Sequence, residues 1–149
     1  MNNHTEIPQG RTKEEIQQRE KFIKDFYASW NAVNPEKRIY NADLQAFIYV
    51  RFLSIQETAE KSARSYKSTL AVTYLTEILE LAKVINQTKP KAGNKKQSRF
   101  SDVIIMRYNK ANFGQIKLTV GILRGSHEKI QYCITAIEKA TVRPATNTQ

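Results

Sequence analysis

Residues 115–123, QIKLTVGIL, decide the fold class. Ile116, Leu118, Val120 and Ile122 recur at every second position, the period of a strand with one covered face, and Lys117 and Thr119 fall between them. Two further β-rich runs flank this one, residues 102–108 and 129–137, joined to it through turn-forming stretches at 109–114 and 124–128. In the last run Ile130, Tyr132 and Ile134 share a face. Three strands with short connections make an antiparallel meander, and their apolar face needs a cover.

The first half of the chain supplies that cover. Thr12 and Glu15 form a capping box, and Ile16, Ile23, Phe26, Trp30 and Val33 then recur at helical spacing, with Phe22 and Tyr27 beside them, until Asn34-Pro35. Within residues 42–53, the run 47–53 is apolar nearly all round and rich in strand formers. The reading favours a buried helix after Asn41, with a strand as the alternative. Ser54 and Glu57 make a second capping box for a short exposed helix, with Glu57–Lys61 and Glu60–Arg64 at i,i+4. A further helix is predicted from residue 65 to about Ile85, with Ala71, Leu75, Ile78, Ala82 and Ile85 buried. The expected architecture is α+β: N-terminal helices on one face of a C-terminal three- to four-stranded antiparallel sheet. The opposite sheet face then presents Lys117, Thr119, Gln131, Cys133 and Thr135, joined by Arg107.

At 149 residues a single domain is expected, spanning 12–139, with a disordered leader at 1–11 and a disordered tail at 140–149. No apolar run approaches the ~20 residues of a membrane span, and no signal peptide is evident at the N-terminus. Cys133 is the sole cysteine, so no intramolecular disulfide forms, and a reducing cytoplasm is expected.

Charge is segregated. Residues 1–84 carry 12 Lys and Arg against 11 Asp and Glu, whereas residues 85–149 carry 12 against 3: Asp102, Glu128 and Glu138. With a net charge of +10, the field of the second half favours a polyanionic partner, RNA above all. The loop at 86–100 holds Lys89, Lys91, Lys95, Lys96 and Arg99 with no acid, a pattern suited to sequence-independent phosphate contacts. Arg64, Lys67 and Lys110 add to this nucleic-acid-binding set.

Most catalytic signatures are missing from the sequence. There is no HExxH, no paired CxxC, no phosphate-cradling loop and no acidic cluster in the basic half, so neither a metal nor another cofactor is expected. His4 lies in the leader and His127 in a turn, outside any nucleophile–base pattern. Metal-free RNA cleavage survives these exclusions, because the substrate's own 2′-hydroxyl is the nucleophile and cationic side chains need only move protons and hold the phosphate. Arg107, Lys117, Thr119 and Thr135 are the candidate catalytic residues, with Tyr108 beside them.

The segments 67–82 (KSTLAVTYLTEILELA), 100–108 (FSDVIIMRY), 113–121 (FGQIKLTVG) and 130–137 (IQYCITAI) together resemble a mobile-element arrangement. It is similar to domains of phage and conjugative-element polyvalent proteins related to the barnase, EndoU, colicin-type and RelE-like ribonuclease superfamily. The resemblance implies a helical lead-in on one sheet face, RNA on the other, and a toxin-like module with a possible antitoxin partner. No histidine lies in the lead-in, where active members often carry one. The alternative is a non-catalytic accessory or protein-interaction module of a mobile element.

Overall fold

Alternation along the central strand builds the core. The computed structural model describes residues 7–89, 100–124 and 130–139. In chain order the elements are α1 (Lys13–Val33), β1 (Arg38–Asn41), β2 (Ala46–Tyr49), α2 (Phe52–Ser62), α3 (Tyr66–Val72), α4 (Leu75–Leu81), β3 (Lys83–Thr88), β4 (Phe100–Lys110), β5 (Gly114–Arg124) and β6 (Ile130–Lys139). The expected α+β class holds: β3 to β6 form an antiparallel sheet preceded by helices. Ile116, Leu118, Val120 and Ile122 are all buried, together with Ile104 and Met106 of β4, beneath the helical layer.

β6 keeps its face by an irregularity. Thr119 pairs with Ala136 and Val120 with Ile134, so Thr135 is the extra residue of a bulge. Ile134 and Ile137, three apart, therefore both reach the core. Beyond its short parallel pairing with β2, the flank of β6 is satisfied by helix hydroxyls. Ser62 Oγ donates to the Ile137 carbonyl, and the Lys139 amide donates to Ser68 Oγ at 2.9 Å.

Several expectations change. Residues 42–53 do not form one helix: 42–45 are the turn and Ala46–Tyr49 the second strand of a β1–β2 hairpin, and α2 begins only at Phe52; the hairpin extends the sheet to six strands, in the order β1-β2-β6-β5-β4-β3. Its turn is closed by Asn41, whose Oδ1 accepts from the Leu44 amide at 2.7 Å, while Gln45 takes φ of 57°. The Asn41 amide nitrogen donates to the carbonyls of Leu79 at 2.8 Å and Ala82 at 2.9 Å, so this residue closes the end of α4 rather than opening a helix.

The predicted helix from 65 to 85 is broken between Val72 and Leu75, and its C-terminal part becomes β3. β3 is exposed along its length; Ile85, expected in the core, is 58% exposed, whereas Ala71, Leu75, Ile78 and Ala82 are buried as read. Ser54 lies inside α2, so the second capping box does not exist, and α2 is buried through Glu57, Thr58, Ala59 and Ser62 rather than exposed.

α1 begins with the expected Thr12–Glu15 box, but its inward face runs through Arg19, Ile23, Tyr27 and Trp30, and Val33 faces solvent. Fully buried Arg19 donates to the carbonyls of Ala63, Pro8 and Gly10 at 2.7, 2.8 and 2.7 Å. Residues 7–11, read from composition as leader, are thereby tied to the body, with Ile7 buried. The tail at 140–149 lies outside the described residues. No helix among the described residues is long and apolar enough to cross a membrane.

Asn41→Ala strands two buried carbonyls and a turn amide at once. It is expected to lower unfolding free energy by about 3 kcal/mol in urea titration, and a loss under about 1 kcal/mol contradicts the assigned role.

Candidate nucleic-acid interface

Lys110 ends β4, and the turn through Asn112 (φ 65°) and Gly114 (φ 118°) brings the chain back into β5. Phe113 sits in that turn, edge-to-face with Tyr74 from the break between α3 and α4, at 5.5 Å between centroids and 75° between planes. Three ammonium groups gather at this aromatic pair. Lys110 Nζ lies 4.8 Å from the Tyr74 centroid, and Lys67 Nζ and Lys139 Nζ each lie 5.9 Å from that of Phe113. Glycine at 114 is favoured by its positive φ of 118°, and it leaves room for the Lys139 side chain, whose Nζ would lie 3.0 Å from a Cβ there.

One carboxylate organises the group. Glu77 of α4 accepts from Lys110 Nζ at 2.9 and 3.0 Å and from the Tyr108 hydroxyl at 2.6 Å. The Tyr108 hydrogen bond, then that of Lys110, holds the Glu77 carboxyl below its ordinary value. The same bond to Glu77, with burial second, pushes the Tyr108 phenol up to about 12. Glu77 offsets part of the positive charge that Lys67, Lys110 and Lys139 bring to the patch.

The other face of the sheet, at the same end, carries a transverse cationic row. Lys83 pairs with Arg107, Arg107 with Lys117, and Lys117 with Glu138. Like charges directly opposite one another destabilise a sheet, so the row is suited to an anion. Arg107 Nη1 donates to Gln115 Oε1 at 2.9 Å, and its buried Nε has no partner. The centre of that face is closed rather than wet: Val103, Thr119 and Ala136 are 4%, 6% and 1% exposed.

The predicted residues are therefore dispersed. Arg107 and Lys117 are cross-strand neighbours, while Thr119 is buried further along the same face. Thr135 lies at the β6 bulge, and its side chain falls outside the described residues. Lys67 and Lys110 converge on the aromatic pair, and Arg64 is exposed in the turn before α3. Lys89 pairs with Asp102 at 3.0 Å, whereas Lys91, Lys95, Lys96 and Arg99 lie outside the described residues. Sequence reasoning missed Glu77, Tyr74, Phe113 and Lys139 as site residues. The one local signal was an aromatic placed directly before the turn glycine. Among the described residues no three His, Cys, Asp or Glu side chains group so as to hold a metal ion.

Tyr108→Phe removes the shortest bond to Glu77 and is expected to cost about 1 kcal/mol at neutral pH, given the partial exposure of the site. Because Glu77 titrates below 4.5 when folded, its share is present above 4.5 and lost as pH falls through the lowered value. Because Tyr108 is raised from 10.0 to about 12, its share is present below 10 and lost as pH rises toward 12. Urea titrations should show the wild-type advantage narrowing at both extremes; an advantage independent of pH contradicts the assignment.

Comparison with known proteins adds no relative: no family model matches the chain, and neither curated proteins nor solved structures give a significant match.

Proposed function

We propose that the chain binds single-stranded nucleic acid, RNA in preference, at the end of the sheet where Lys67, Lys110 and Lys139 surround the Tyr74–Phe113 pair. The gathering of three ammonium groups from α3, β4 and β6 on two rings carries this reading. Ammonium groups neutralise backbone phosphates, and aromatic faces stack bases without regard to sequence. The acid-poor second half of the chain adds long-range attraction. An acidic protein would meet the same lysines, but it would make less use of the rings.

Binding is favoured over cleavage at this patch. A general base works best with a pKa near the operating pH, whereas Glu77 is held low and already accepts from two donors. Tyr108, pushed up to about 12, also lies outside that range. The likeness to the ribonuclease superfamily belongs to this proposal as a lineage in which the RNA surface outlives the chemistry, in keeping with an accessory role in a mobile element. The order of elements, helices before an antiparallel sheet, supports it.

Filter binding of a single-stranded RNA across a salt series tests the proposal. Changing all three lysines to Gln is expected to reduce the log–log salt slope by about 2, at roughly 0.7 per phosphate contact. Phe113→Leu is expected to weaken binding at least about fivefold with the slope unchanged. An unchanged slope in the triple variant, or stronger binding of an acidic protein than of RNA, removes the proposal. In excess chelator the RNA should stay intact; products ending in a 2′,3′-cyclic phosphate would restore the ribonuclease reading.

A further inference from the structure

At the open end of the β1–β2 hairpin, between the end of α1 and the start of α2, lies a cavity of about 430 Å³. Small-ligand sites run from roughly 300 to 1,000 Å³, so a single nucleotide is the right size. Val50 and Ile55 give it apolar wall, and Asn31, Glu36, Lys37, Tyr49 and Arg51 complete the lining. It shares no residue with the lysine cluster.

The chemistry of the lining is selective. The Tyr49 ring is braced before any ligand arrives: its hydroxyl accepts from Arg38 Nη1 at 3.1 Å, and the Arg38 guanidinium lies 4.0 Å from the Phe47 centroid and 5.8 Å from that of Tyr49. Such a ring stacks a planar partner at little ordering cost. Asn31 belongs to the lining, and its Oδ1 is buried with no hydrogen-bond partner.

Lys37 holds φ of 56°, a conformation in which glycine or asparagine is at less disadvantage than lysine. Its backbone is fixed there, with its amide donating to the Asn34 carbonyl and its carbonyl accepting from the Val50 amide, each at 2.8 Å. The Glu36 carboxylate is engaged by Arg38 Nε at 3.2 Å, and Lys37 and Arg51 contribute two cationic side chains to the lining.

We propose that this cavity binds a nucleoside 5′-monophosphate unit, with its base on Tyr49 and its phosphate held by Lys37 and Arg51. The unit arrives free or as the phosphorylated end of a strand, and the two sources share one recognition chemistry.

Calorimetric titration of the full chain separates them. The probes are adenosine and uridine 5′-monophosphates, the matching nucleosides, and RNA trinucleotides with and without a 5′-phosphate. Saturable binding of the monophosphates, about tenfold tighter than the nucleosides, is expected. Saturation by the phosphorylated trinucleotide alone assigns the site to strand ends.

Lys37→Asn suits the left-handed backbone and should weaken the phosphorylated probes about tenfold while leaving the nucleosides unchanged. Tyr49→Ala should weaken every probe at least about fivefold. Lys21→Gln, exposed on α1 and outside both sites, should change nothing, and the salt-series variants of the lysine cluster keep failure of that reading distinct from failure of this site. No saturation by any probe at millimolar concentration, or binding unaltered by Lys37→Asn, overturns the proposal.

Discussion

The burial of one face of β5 is the constraint from which the rest follows. Ile116, Leu118, Val120 and Ile122 are committed to the helical layer, and period-two geometry commits their neighbours to the other side. β6 must then match that face, and it does so by inserting Thr135 as a bulge, which turns both Ile134 and Ile137 inward. The hydroxyls of Ser62 and Ser68 follow, because the outer flank of β6 has backbone groups that no strand reaches. Those bonds seat α2 and α3, and with them Lys67, at one end of the sheet.

Cations collect at that end for the same reason. The middle of each strand is covered on the helix side, and around Val103, Thr119 and Ala136 it is closed on the other side as well. Charged side chains avoid burial without a partner, so lysines occupy strand ends, turns and the edge strand. Lys110, Lys139, Lys117 and Lys83 all fit this rule. Glu77 is the counterweight. By accepting from Tyr108 and Lys110 it fixes one ammonium group beside Tyr74, and Trp30 Nε1 donating to Thr76 Oγ1 at 2.9 Å ties the same helix to α1.

What the sequence shows and what it hides differ by range. The Thr12–Glu15 box, the end of α1 and the three strands of the meander are local in cause, and all were legible. The hairpin was not: residues 47–50 are apolar on every side, and pairing of β2 with β1 and with Tyr132 and Cys133 of β6 settles it as a strand. β3 was hidden because KVINQT carries no alternation, being an exposed edge with a bulge between Val84 and Asn86. Arg19 defeated the apolar-stripe reading of α1, since its burial rests on carbonyls from Pro8, Gly10 and Ala63. Charge segregation pointed to a polyanion, yet Tyr74, Phe113 and Lys139 lie far apart in the chain, and only the fold shows that they meet.

The most direct test of the account is an amide chemical-shift map of the labelled chain titrated with a short single-stranded RNA. The account predicts the largest shifts at Lys110 to Gly114, Lys67, Tyr74 and Lys139, with the Val103–Thr119–Ala136 centre little changed. Shifts that bypass the β4–β5 turn, or no shifts at saturating RNA, would contradict it.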